Sequence, residues 1–68
     1  MERTITINGR EMHFATTYDG DSQYHVQVSE GDRPVHAFKI AADKEADVFV
    51  AAVAHLKADL ELGNVKLH

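Results

Sequence analysis

Sixty-eight residues make one domain, spanning 1–68, and a chain this short buries only about 60% of the surface it exposes when unfolded, so a partner or a second copy would add to a thin stability margin. The absence of cysteine excludes disulfides, thiolate metal sites and sulfur redox chemistry. A formal charge of −4, with the seven Lys and Arg scattered along the chain, argues against the concentrated basic surface that nucleic acid requires.

The first two elements are strands hinged on Asn8-Gly9. That dipeptide supplies the positive φ that a two-residue type I′ turn needs, which sets Ile7 opposite Arg10 and Ile5 opposite Met12. In the second strand Met12, Phe14, Thr16 and Tyr18 share one side, and in the third so do Tyr24, Val26 and Val28. Both sets are even-numbered, so a three-residue bend at Asp19, Gly20 and Asp21 is expected, pairing Phe14 with Val26 and Tyr18 with Ser22. "EGDRP" turns the chain into a fourth strand, "VHAFKIA", with Phe38 and Ile40 inward and Pro34 marking an edge.

From Asp43 the apolar period becomes helical. Ala46, Phe49, Val53, Leu56 and Leu60 form one stripe at spacings of three and four, with Asp43 as the expected cap and Gly63 as the terminator. The last residues, "NVKLH", alternate weakly and read as a short fifth strand or a frayed tail. The expected architecture is an α+β fold, a four-stranded antiparallel meander with one C-terminal helix across one face (β-β-β-β-α). Its inner face is Ile5, Ile7, Met12, Phe14, Tyr24, Val26, Val28, Phe38 and Ile40. Its outer face is Thr4, Thr6, Glu11, His13, Ala15, Thr17, Gln23, His25, Gln27, Val35, Ala37 and Lys39.

Several groups of residues are of types that could carry chemistry. With Glu11 expected opposite Ser29 and His13 opposite Gln27, Glu11, His13 and Ser29 become outer-face neighbours of hydrolytic type, but a flat sheet supplies neither a cleft nor oxyanion donors. Ser22 and His25 differ in parity and point to opposite faces. Zinc at His13 and His25 lacks further ligands at a recognised spacing. His36 is expected at the core margin, hydrogen-bonded and neutral, and His55 on the helix flank within reach of Asp59. Asp19, Asp21, Asp43, Glu45 and Asp47 gather at one end of the sheet, though their spacing does not match a calcium loop.

No apolar stretch approaches the roughly 18 residues of a spanning helix, and "MERTITI" lacks a signal-peptide pattern, so a cytoplasmic location is expected. No catalytic residue, metal or cofactor is assigned, and neither an enzyme nor a small-molecule ligand is expected. The expected role is a protein–protein interaction module, a homodimer or a small regulatory subunit. Its warrant is small size, two free sheet edges and surplus apolar helix surface, with Val48, Ala51, His55 and Leu62 as the contact flank and Val50 and Ala54 on the opposite flank. The alternative is a nucleic-acid-related role, as a sheet-surface binder or an acidic mimic.

Overall fold

The computed structural model describes residues 1–65. Four strands, β1 (Glu2–Ile7), β2 (Arg10–Gly20), β3 (Gln23–Glu30) and β4 (Arg33–Ala41), form one antiparallel sheet in the order β1-β2-β3-β4, and helix α1 (Glu45–Leu62) follows. This is the α+β meander-plus-helix architecture that the alternation predicts. The β1–β2 hairpin has the expected register, with Ile7 opposite Arg10 and Ile5 opposite Met12, and Asn8 (φ 54°) and Gly9 (φ 77°) both take the left-handed conformation of a type I′ turn.

The β2–β3 register differs from expectation by two residues. Phe14 pairs with Val28 rather than Val26, and Tyr18 with Tyr24 rather than Ser22. The connection is a tight turn on Asp21 and Ser22, both at positive φ, and a bulge between Tyr18 and Gly20 absorbs the extra residue. Because the slip is an even number, each side chain keeps its expected face. Tyr18 stacks edge-on against Tyr24, at 5.2 Å between ring centroids, but stays 61% exposed near the open end of the sheet.

A second bulge lies opposite Val28, where the β3–β4 pairing steps from Val28↔His36 to Ser29↔Pro34. Two residues of β4, Val35 and His36, therefore stand against one of β3. Val35, assigned by alternation to the outer face, instead packs against the core, because the inserted residue breaks the period of two.

The core comprises Ile7, Met12, Phe14, Val26, Val28 and Ile40 from the sheet and Val48, Phe49, Ala52 and Leu56 from α1, closed at the end by Val65. The helix is rotated from the expected stripe. Ala46 is exposed, Val53 and Leu60 are half-buried, and Val48 and Ala52 take the central positions. The reason lies in α1 itself: its apolar residues cover far more than the roughly 100° arc that one stripe needs, so pattern alone leaves the rotation open and packing against the sheet sets it.

The helix boundaries follow from its ends. Lys44, not Asp43, is the N-cap residue, and no side chain caps it. At the other end Gly63 (φ 80°) is left-handed, with its N–H donating to the Leu60 carbonyl at 3.3 Å and the Asn64 N–H to the Asp59 carbonyl at 2.9 Å, a Schellman closure. Asn64 and Val65 form no strand; the remainder of the expected fifth strand or tail, 66–68, lies outside the described residues. No helix among the described residues is long and apolar enough to cross a membrane.

Candidate functional site

The contact flank named from sequence does not form one surface. Val48 is completely buried against the sheet, so it belongs to the core and offers nothing to a partner; the rotation of α1 turns it inward. Ala51 is half-buried, His55 is exposed but stacked on Phe38 at 4.2 Å, and Leu62 stands 75% exposed at the last turn. The same rotation brings the other flank to the surface, where Val50 is 72% exposed.

Val50 borders a groove between α1 and the edge strand β1. Arg3, Ile5, Phe49, Val50 and Val53 line this solvent-open groove of about 410 Å³, and its walls are mainly apolar. Arg3 lays its guanidinium over the Phe49 ring, 4.7 Å from the centroid.

The hydrogen-bonding state of the β1 edge follows from the residue that precedes it. Met1 exchanges both backbone bonds with Thr16: its amino group donates to the Thr16 carbonyl at 2.8 Å, and the Thr16 N–H donates to the Met1 carbonyl at 2.7 Å. Antiparallel ladders alternate bonded and non-bonded pairs, so Arg3, Ile5 and Ile7 direct their backbone groups to β2, whereas Glu2, Thr4 and Thr6 direct theirs outward. The opposite edge, β4, carries Pro34 and the bulge, two features that blunt an edge.

On the outer face the hydrolytic constellation does not assemble as expected. His13 lies opposite Ser29, but Glu11 pairs with Thr6, and the His13 ring bonds Glu2 (Nε2 to Oε1, 2.7 Å) and Thr4 (Nδ1 to Oγ1, 3.4 Å) instead. His25 lies between Thr17 and Lys39, and Thr17 is four residues along β2 from His13, so the two histidines share no site. Of the acidic residues at the open end, Asp19 pairs with Lys39 at 2.8 Å, which holds its carboxyl below the usual value.

A different cluster does converge, and pattern reading missed it. His36 of β4 places Nε2 2.9 Å from Asp59 Oδ2, and His55, one turn before Asp59 on α1, places its own Nε2 3.1 Å from the same oxygen. The hydrogen bond from His36 is the main cause holding Asp59 below its ordinary pKa, opposed by desolvation and aided by Asn64. The His55–Asp59 spacing is visible in the sequence, and parity with Phe38 and Ile40 puts His36 on the inner face; that the two meet is not visible, because it depends on how α1 seats against β4.

Family models, curated proteins and solved structures give no match to this chain.

Proposed function

We propose that this protein acts as a self-associating interaction module, a homodimer joined through β1. The observation that carries the proposal is the coincidence of an outward-directed backbone ladder at Glu2, Thr4 and Thr6 with an apolar groove running beside it. Either feature alone is common. Together they supply both parts of strand addition: backbone hydrogen bonds for affinity and an apolar seat for alternate side chains.

A two-fold axis through Thr4 uses every free position. Thr4 pairs with Thr4 of the second copy and Glu2 with Thr6, in a bonded ladder, while Arg3 and Ile5 meet across the axis on the groove side. The sheet becomes eight-stranded, and the two grooves join into one layer containing Phe49, Val50 and Val53 from each copy. Arg3 is the kind of inward charge that discourages edge pairing, yet its position on Phe49 leaves the outward ladder clear. The nucleic-acid alternative has less support, since the outer sheet face presents His13, Ala15, Thr17 and Gln27 with no Phe, Tyr or Trp ring for stacking.

Light scattering on a size-exclusion column, over a range of loading concentrations, tests the proposal. The wild type should reach dimer mass as concentration rises. Thr4→Pro removes an outward N–H without touching the β1–β2 ladder and should stay monomeric with an unchanged circular dichroism spectrum. A wild type that remains monomeric at millimolar concentration, or a Thr4→Pro variant that still dimerises, would overturn it.

A further inference from the structure

We propose that His36, His55 and Asp59 form a binding site for a divalent transition-metal ion, of which Zn²⁺ is the natural probe, clamping α1 to β4. One ligand atom from each of the three lies within 4.8 Å of the others, and this is the one such group among the described residues. Ligands held at about 2.0–2.2 Å from a single zinc ion stand roughly 3–3.5 Å apart. The two nitrogen-to-oxygen gaps, 2.9 and 3.1 Å, already lie near that range, so a small rotation of the rings toward each other seats the ion.

Each ligand is oriented by something other than a metal. His55 is stacked on Phe38, with ring planes 15° apart, and His36 lies against the same ring at 5.3 Å. His36 lies opposite Val28 on the inner face of β4, the face it shares with Phe38 and Ile40, and so points toward the helix. Asp59 turns its second oxygen to Asn64, whose Nδ2 donates to Oδ1 at 3.4 Å, and the Schellman closure at Gly63 puts Asn64 there. Such outer partners fix ligand geometry in metal sites and lower the cost of ordering on binding.

The donor set selects the class of ion. Two imidazoles and one carboxylate suit zinc and its first-row neighbours, whereas calcium and magnesium require shells of oxygen. Binding puts a lone pair of each Nε2 on the ion, with the ring protons on Nδ1. Three protein ligands leave a fourth position for water on the side where His55 is exposed. The ion joins residues 23 positions apart, on the last strand and the last turns of the helix, a linkage a cysteine-free chain cannot obtain from disulfides.

Chelator-treated protein titrated with Zn²⁺ by calorimetry, and with Co²⁺ by visible absorption, provides the test. One ion per chain should bind, Co²⁺ should give the d–d bands of a low-coordinate N/O site, and Zn²⁺ should raise the unfolding temperature. His55→Ala, at an exposed position where folding is not at stake, should weaken binding by more than the roughly 10–100-fold that loss of an outer partner causes. Asp59→Asn and His36→Gln should do the same, while a His13→Gln, His25→Gln, His68→Gln triple variant should bind as the wild type. Absence of binding at millimolar Zn²⁺, retention of full affinity in His55→Ala, or its loss in the triple variant would overturn the proposal.

Discussion

Val48→Ala and Val50→Ala make the same chemical change two residues apart on α1, and the structure assigns them opposite consequences. Val48 is fully buried and Val50 is 72% exposed. Each substitution deletes the equivalent of two methylene groups and raises intrinsic helix propensity by roughly 0.5 kcal/mol. At Val48 the deleted groups leave the core, at about 0.8 kcal/mol each, with a cavity cost of about 1 kcal/mol above that, so the net loss is about 2 kcal/mol. At Val50 little burial is lost and the propensity gain remains, so the change should be close to zero or slightly stabilising. For a domain of this size 1 kcal/mol corresponds to roughly 4–8 °C, which places the two variants about 10–20 °C apart in unfolding temperature. Thermal and urea unfolding by circular dichroism, at concentrations low enough to keep the chain monomeric, measures the difference. Equal destabilisation at both positions, or a larger effect at Val50, would refute the rotation of the helix and with it the groove beside β1.

The C-terminal closure of α1 is tested by Gly63→Ala. Among the described residues, nothing beyond its own chain neighbours lies within 4 Å of the added methyl group, so the cost is that of the left-handed backbone, about 1–2 kcal/mol, and should appear as a lower unfolding temperature; an unchanged midpoint would count against the Schellman geometry. The Asp19–Lys39 pair should contribute to acid sensitivity. Its carboxyl is held below the ordinary 3.8 by the hydrogen bond from Lys39, so its contribution is complete above that value and fades as pH falls through the folded-state pKa. Asp19→Asn should therefore lower stability slightly at neutral pH and flatten the acid limb of the stability profile; an unaltered limb would show that the exposed pair contributes nothing.

Much of this molecule is legible in its sequence because alternation survives local error. The Asn8-Gly9 turn fixes the β1–β2 register outright. The β2–β3 pairing was displaced by two residues, since the connection could be divided between turn and bulge in more than one way, yet Phe14, Val26 and Val28 kept their inner positions. Where one inserted residue breaks the period, as at Val35, alternation misassigns the face, and nothing in "RPVHAF" announces the bulge, whereas His36 keeps the core-margin place expected of it. The helix shows a further limit: Ala46, Val48, Val50 and Val53 are all apolar, so their order around α1 does not say which will meet Ile40 and Val28. Both proposed sites depend on that rotation. The groove exists because Val50 turns out and Val48 turns in, and the His36–His55–Asp59 cluster exists because the same turn of α1 faces the bulged strand.

Amide hydrogen exchange of β1, followed by NMR at high and low protein concentration, bears most directly on association through this edge. The amides of Arg3 and Ile5, bonded within the sheet, should be protected at both concentrations, whereas those of Glu2, Thr4 and Thr6 should be protected only when the protein is concentrated. Equally fast exchange of Glu2, Thr4 and Thr6 at both concentrations, with Arg3 and Ile5 still protected, would show that no second strand ever covers β1.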